Sequence, residues 1–143
     1  MKGKLKYIPA ILIVALLGAY LIWRYAFRES GMNVSSEKPD YVLTTSGLLQ
    51  TFETDENAAN ALYLGKILLV SGTVESVSSD SLGISVYLKE GDAIAGVICS
   101  FEKESIDTAL IRKGIRVNVK GICTGYLMDV VLNRCSLETE QNR

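Results

Sequence analysis

Residues Gly65–Val77 read GKILLVSGTVESV, a stretch in which an apolar run continues as alternating apolar and polar residues. This pattern predicts a long strand, and a glycine at its centre (Gly72) suits a strand that bends sharply or bulges. The later pieces predict four more strands and one helix: GISVYL (Gly83–Leu88), AGVICSF (Ala95–Phe101), the helix ESIDTALIRKG (Glu104–Gly114), IRVNVKGICTG (Ile115–Gly125) and DVVLNRCSL (Asp129–Leu137). The order strand-strand-strand-helix-strand-strand over residues 65–138 predicts a mainly β protein, a five-stranded OB-fold Greek-key barrel with a helix between strands 3 and 4.

The residues before the barrel predict a linker followed by helices. Residues 28–43 are largely polar and contain Gly31 and Pro39, which is typical of a linker. Residues 44–64 have apolar residues at helical spacing, with a start signal at Thr45 or Ser46 and a second at Thr54-Asp55-Glu56. They predict two short helices, or one kinked helix, packed on the barrel; a regulatory or partner-binding helix is the alternative. Residues 139–143 form a short tail.

The amino-terminal region predicts a transmembrane helix. Ile8–Trp23 holds 16 residues without a charge, and a helix over residues 7–27 would be about 31 Å long, enough to cross the hydrocarbon core. A cleaved signal peptide is the alternative. An uncleaved anchor is favoured because the residues that follow the run, such as Tyr25 and Phe27, are too bulky for a cleavage site. No cysteine lies near the run, which excludes lipoprotein processing.

The distribution of charge predicts on which side of the membrane the barrel lies. It also restricts the classes of ligand that the barrel is expected to bind. Lys2, Lys4 and Lys6 favour a cytoplasmic location for residues 1–6, which puts the barrel outside the cytoplasm. Residues 28–143 carry 11 of the 15 basic residues and all 16 acidic ones, so their net charge is −5. A negative domain disfavours unselective binding of phosphate backbones.

Three stretches resemble a known family: YLGKILLVSGTVESV (Tyr63–Val77), VICSF (Val97–Phe101) and KGIRVNVKGICTGYLMDVVLNRCSL (Lys113–Leu137). They are similar to the tRNA-anti-like family of bacterial proteins, an OB-fold group named for its similarity to the anticodon-binding domain of aminoacyl-tRNA synthetases. The resemblance covers about Ser46–Leu137. It implies an amino-terminal membrane or lipoprotein segment, a short helical region ending in Tyr-x-Gly-Lys, and an OB barrel in a bacterial protein. The family name records a similarity of fold, which does not by itself imply tRNA binding.

The residue types present predict a protein that is not an enzyme and that has no metal site or cofactor. The chain has no histidine, so it has no Ser-His or Cys-His pair, and zinc would lack its commonest nitrogen ligand. The sequence contains no P-loop, no dinucleotide-binding glycine pattern and no EF-hand calcium loop.

The three cysteines allow two interpretations. They can be small apolar core residues, or one pair can form a disulfide in an oxidising compartment. Strands three and five of an OB barrel are neighbours, so Cys99 and Cys135 are the feasible pair, which would leave Cys123 as a free thiol.

A ligand of an OB barrel would contact the outer face of strands two and three and the adjoining loops. The candidate residues on this face are Tyr87, Lys89, Phe101, Lys120 and Tyr126. We expect a non-catalytic binding module in the bacterial cytoplasmic membrane, held by residues 7–27, with the OB domain outside the cytoplasm and a protein or glycan of the cell envelope as its ligand. A domain that binds single-stranded nucleic acid or tRNA is the alternative, and a purely structural role with self-association is the third interpretation.

Overall fold

A computed structural model describes residues 7–26 and 33–139. The chain divides into two compact units, Met1–Met32 and Asn33–Arg143. The first unit contains α1 (Ile8–Ala26), which is long and apolar enough to cross a membrane. The helix is 19 residues long, and Arg24 in its last turn is the charged residue within it. The predicted cytoplasmic terminus, residues 1–6, lies outside the described residues.

The second unit is built mainly from strands, with two short α-helices near its start. Its elements in chain order are β1 (Tyr41–Thr44), α2 (Thr45–Thr54), α3 (Glu56–Tyr63), β2 (Ile67–Ser79), β3 (Ile84–Lys89), β4 (Val97–Phe101), a 3-10 helix (Thr108–Leu110), β5 (Arg116–Leu127) and β6 (Asp129–Glu138).

The last five of these strands form a closed barrel. Along the sheet the strand order is β1-β2-β3-β4-β6-β5, and β5 pairs again with β2. The closing ladder is antiparallel and runs from the pair Ile67–Ile122 to the pair Thr73–Arg116. The pairing of β4 with β6 is parallel, and the other pairings within the barrel are antiparallel. This arrangement confirms the predicted OB-fold, with β1 added as an extra strand parallel to β2.

Alternating side chains from the barrel strands fill the core, and α2 packs against it. Phe52, Leu48 and Leu49 of α2 are buried with the inward residues of the strands. Helix α2 begins where Thr44 Oγ1 accepts a hydrogen bond from Gly47 N, and α3 begins where Asp55 Oδ1 accepts one from Ala58 N. The two helices therefore have separate caps, and they lie in the interval where the sequence predicts helices.

A glycine in β2 allows α2 to lie close to the barrel. Thr45 is fully buried at the start of α2, and its Oγ1 donates a hydrogen bond to Ser71 O at 3.1 Å. A Cβ at Gly72 would lie 2.1 Å from Thr45 Oγ1 and 3.3 Å from Leu88 Cβ. Gly72 is thus required for the contact between helix and strand, and not only for the bend that its place at the centre of the strand predicts.

The segment predicted as a linker differs from that prediction over its second half. Val34 is buried, and β1 occupies the last residues before α2. Asp40 pairs with Ile67 twice, since its N–H donates to Ile67 O at 2.8 Å and its Oδ2 accepts from Ile67 N at 2.9 Å. The last residues of the segment, Tyr41–Thr44, join the sheet because the first half of β2 offers an edge that β3 does not pair.

The connection between β4 and β5 contains a helix, but a much shorter one than Glu104–Gly114. It is a single 3-10 turn, Thr108–Leu110, in which Asp107 Oδ1 accepts a hydrogen bond from Ala109 N. Leu110 is 69% exposed, whereas Ile111 is buried. The local hydrogen bond of Asp107 competes with an α-helix that would bury little apolar surface.

We predict that Gly72→Ala destabilises the barrel by about 1–3 kcal/mol, because the added methyl group collides with Thr45. Urea unfolding of the full chain in detergent, monitored by circular dichroism, measures the lost free energy of unfolding. Thr45→Ala removes the colliding hydroxyl, so the double variant should lose less than the sum of the two single losses. Additive losses would contradict the steric explanation.

Candidate ligand-binding site

Tyr87 lies on the outer surface formed by β3, β4 and β6. Buried and half-buried residues alternate along β3, and Tyr87 belongs to the half-buried set that faces away from the core. It pairs with Ile98 of β4, which in turn pairs with Val131 of β6. These three half-buried side chains form a row across the sheet.

Asp129 and Gly96 hold the Tyr87 ring in place. Asp129 Oδ1 accepts hydrogen bonds from Tyr87 Oη at 2.9 Å and from Gly96 N at 2.7 Å. A Cβ at Gly96 would lie 2.6 Å from Tyr87 Cζ, so the ring lies directly against the backbone of β4. The side chain is therefore ordered before any ligand arrives, which lowers the entropic cost of binding.

The electrostatic environment of the Tyr87 hydroxyl is negative. Burial raises the pKa of Tyr87 above its ordinary value, and the hydrogen bond to Asp129, the charge of Asp129 and the charge of Glu75 raise that pKa further. Lys89 is half-buried at the end of the same strand, opposite Thr73 of β2. Arg116 lies 3.5 Å from the carboxylate of Glu90. Acidic groups thus act on the Tyr87 hydroxyl, and the basic side chain of Arg116 is paired with Glu90.

Three exposed apolar side chains lie on the loops beside Asp129. Ile94, in the connection between β3 and β4, is 93% exposed, and Leu127 and Met128, at the turn between β5 and β6, are 87% and 73% exposed. The two loops are joined by the bond from Asp129 to Gly96 and by a hydrogen bond from Val130 N to Gly96 O at 3.1 Å. We call Tyr87, Asp129, Ile94, Leu127 and Met128 the Tyr87 surface.

Phe101, predicted as a ligand contact, belongs instead to the core. It is 3% exposed, because Val97, Cys99 and Phe101 are the inward residues of β4. The prediction for Phe101 is therefore wrong. The alternation of β4 cannot be assigned to a face from sequence when every residue from Val97 to Cys99 is apolar.

Lys120, also predicted as a surface contact, is buried and fully engaged. Its Nζ donates to Ser35 O and to Glu37 O, each at 2.9 Å, and lies 2.7 Å from Glu138 Oε1. The side chain points outward from β5 as predicted by alternation, but residues 33–37 cover it, and 5% of the residue is exposed. Lys120 therefore holds the incoming chain against the barrel and is not available to a ligand.

Tyr126 lies at a second location, away from a common surface with Tyr87. Its ring stacks on Phe52 of α2, with 5.1 Å between the ring centroids and 21° between their planes. Phe52 also lies 6.0 Å from Tyr63. The half-buried Tyr126 thus extends an aromatic cluster that joins the helices to β5, and its ring has at most one open face.

The cysteines and carboxylates provide no metal centre within residues 7–26 and 33–139, where no group of three or more potential ligands comes together. Cys99, Cys123 and Cys135 are buried free thiols. Burial raises the pKa of Cys99, as does its hydrogen bond to Cys135. Of the predicted site residues, the structure brings Tyr87 and Lys89 together on one strand, and Cys99 next to Cys135.

Sequence reasoning missed Asp129, Ile94, Leu127 and Met128. Three of these had a signal, because large apolar residues in predicted turns are unusual and stand out from the sequence. Asp129 had none, since only the parallel pairing of β4 with β6 brings its carboxylate to Gly96.

Comparison with known proteins assigns the chain to a family. Residues 1–137 match the tRNA_anti-like family. The chain belongs to this family. The resemblance proposed from the sequence is thereby confirmed, and it extends through the amino-terminal region. No protein among those with curated functions matches the chain.

Several solved structures are similar to this tRNA_anti-like domain. A Klebsiella pneumoniae lipoprotein proposed to bind nucleic acid has 16% identity and a TM-score of 0.59, covering 68% of this chain and 91% of that protein. An aspartyl-tRNA synthetase from Entamoeba histolytica has 15% identity and a TM-score of 0.41, covering 53% of this chain and 19% of the synthetase. A replication protein A heterotrimer bound to single-stranded DNA has 14% identity and a TM-score of 0.38, covering 53% of this chain and 60% of that one. At such identities the first likeness supports the OB-fold alone.

We predict that Lys120→Met destabilises this domain by about 3 kcal/mol, because it leaves Glu138 and two carbonyl groups without their buried cation. Lys113→Met is the matched control, since it removes an exposed ion pair with Glu75 and should cost less than about 0.5 kcal/mol. Urea unfolding of both variants measures the difference. Equal losses would show that Lys120 does not hold residues 33–37 as described.

We predict that Tyr87→Phe makes stability less sensitive to alkaline pH. The raised pKa means that the folded state holds the Tyr87 proton more tightly than the unfolded state does. This contribution is present below the unfolded pKa of about 10 and is lost as the pH rises through the higher folded pKa. Unfolding free energies measured from about pH 9 to pH 11 should fall less steeply for Tyr87→Phe than for the native chain.

A tyrosinate absorbance titration provides the second measurement for Tyr87. The native chain should show a late-titrating phase that is missing from Tyr87→Phe. Asp129→Asn retains the phenol but removes the neighbouring charge, so the late phase should move to lower pH. Unchanged titration in both variants would contradict the assigned environment.

Proposed function

We propose that this protein is a non-catalytic binding module, anchored in the bacterial cytoplasmic membrane by α1, whose OB domain binds a protein of the cell envelope through the Tyr87 surface. The observation that carries this proposal is the pre-ordered Tyr87 ring, fixed by Asp129 and Gly96 beside three exposed apolar side chains. Exposed apolar groups next to polar ones are characteristic of protein interaction sites, and aromatic anchors often dominate their binding energy.

The properties of α1 support the membrane location. Its large apolar side chains are exposed along the whole helix, and an exposed apolar helix of this length is stable in a hydrocarbon environment. The similar Klebsiella structure is described as a lipoprotein, a class of protein attached to a membrane. The lysines at positions 2, 4 and 6 favour a cytoplasmic amino terminus and an OB domain on the other side.

The charges around the Tyr87 surface support a ligand that is not a polyanion. Asp129 and Glu75 make the surroundings of the Tyr87 hydroxyl negative, and Lys120 is held inside the domain. A phosphate backbone would meet carboxylates where it needs cations. A glycan could stack on Tyr87, but it would not use the apolar side chains of Ile94, Leu127 and Met128.

Single-stranded nucleic acid is the second candidate ligand, because the similar Klebsiella lipoprotein is proposed to bind nucleic acid. Tyr87 and Lys89 would then supply stacking and phosphate contacts. This candidate requires affinity that falls steeply with salt and that is lost in Tyr87→Ala.

The experiment is photo-crosslinking in the native membrane. A photoreactive phenylalanine analogue replaces Leu127 in the full chain, and the matched control places it at Leu110, which is also exposed but lies on the 3-10 connection. We expect one discrete protein adduct at position 127 and none at position 110. Adding Tyr87→Ala to the position-127 variant should reduce that adduct at least tenfold if Tyr87 anchors the partner, a loss of about 1.4 kcal/mol or more in binding.

Several outcomes would contradict the proposal. An adduct that nuclease digestion removes would establish nucleic acid as the ligand, and one that glycan-degrading enzymes remove would establish a glycan. Equal adducts at positions 127 and 110 would show contact without a defined surface. A topology reporter fused after Arg143 that is active only in the cytoplasm would overturn the proposed orientation.

A further inference from the structure

Two thiols come together where the β4–β6 ladder ends. The parallel pairing of these strands covers only Val97–Cys99 and Val130–Leu132, so the pair Cys99–Leu132 is its last step. Cys135 follows three positions later in β6 and points into the same part of the core. Cys99 is fully buried, and Cys135 is 4% exposed.

A bulge in β6 places the sulfur of Cys135 against Gly121 of β5. Lys120 pairs with Ser136 and Ile122 with Asn133, so two residues of β6 face Gly121 of β5. One of these two, Arg134, adopts a left-handed conformation with φ 53°. The other is Cys135, and a Cβ at Gly121 would lie 2.6 Å from its Sγ. The glycine and the bulge together provide the space that the sulfur occupies.

The two thiols lie near each other at this end of the ladder. Cys135 Sγ donates a hydrogen bond to Leu132 O at 3.4 Å, and Leu132 is the residue of β6 that pairs with Cys99. Burial raises the pKa of Cys99, and its interaction with Cys135 raises that pKa further. Cys99 belongs to the final β4–β6 pair and Cys135 lies three positions beyond it, so a small adjustment of β6 at Cys135 would leave the earlier pairs of the ladder in place. The third thiol, Cys123, lies in β5 opposite Leu132 and has its own backbone contact with Gly125.

We propose that Cys99 and Cys135 form an intramolecular disulfide when the chain meets a disulfide oxidant, while Cys123 remains a thiol. One thiolate attacks a sulfur of the oxidant and displaces one thiol from it. The second thiolate then attacks the mixed disulfide and displaces the other thiol. The two cysteines lose two protons and two electrons, and the oxidant disulfide is reduced to two thiols. The chemistry does not depend on the proposed function, although its use in the cell requires an oxidising compartment.

The bond would stiffen the strands that carry the Tyr87 surface. Gly96 and Ile98 belong to the β4 side of the link, and Asp129 and Val131 belong to the β6 side. The ladder between these strands is three residue pairs long, so a covalent link at its end restrains their separation. Oxidation would therefore restrict opening of the sheet between Tyr87 and Asp129.

The test uses the full chain, reduced, purified in detergent and then freed of reductant. One sample is incubated with oxidised glutathione under native conditions, and a second is treated identically with added urea below the unfolding midpoint. Both are then alkylated at low pH and mapped by mass spectrometry. We expect an intact chain lighter by two hydrogens, a linked peptide containing Cys99 and Cys135, and complete alkylation of Cys123. The oxidised chain should also have a higher midpoint of thermal unfolding than the reduced chain.

If urea causes aggregation, the sample incubated without urea decides the result.

Two variants are the controls. Cys123→Ala keeps the pair and should oxidise as the unsubstituted chain does, whereas Cys135→Ala should form no intramolecular bond. Three free thiols in the native chain after prolonged incubation, a bond that includes Cys123, or glutathione adducts without a linked peptide would each overturn the proposal.

Discussion

The ladder between β2 and β5 is the interaction on which the rest of the structure depends. It closes the barrel through seven pairs, from Ile67–Ile122 to Thr73–Arg116. A strand that pairs with β3 on one side and with β5 on the other must bend between them, and β2 is long enough to serve both partners. Closure brings β4 and β6 together as parallel neighbours.

The Tyr87 surface is a consequence of that closure. Once β4 and β6 are neighbours, the first residue of β6 reaches the backbone at the start of β4, and the Asp129 carboxylate binds Gly96 and Tyr87 together. The same pairing brings Cys99 near Cys135. Neither group of contacts involves neighbours in sequence, so both require the barrel to form first.

Particular residues explain why some predictions hold and others do not. The strand containing Gly72 is identified because its length, alternation and central glycine are local properties. The helix Glu104–Gly114 is overestimated because its apolar spacing is helical, whereas Asp107 forms a tighter local turn and Leu110 finds no partner in the barrel. Lys120 is misassigned because the segment that covers it, residues 33–37, arrives from 83 and 85 positions away.

The sequence by itself determined the order of strands, the OB-fold, the apolar amino-terminal helix and the outward position of Tyr87. These follow from period, composition and length, which are properties of short windows of chain. Only the tertiary structure decided that Phe101 is core, that Lys120 is a buried clamp, and that Asp129 orders Tyr87. Those outcomes depend on which distant backbone covers each strand, and that is set by closure of the barrel.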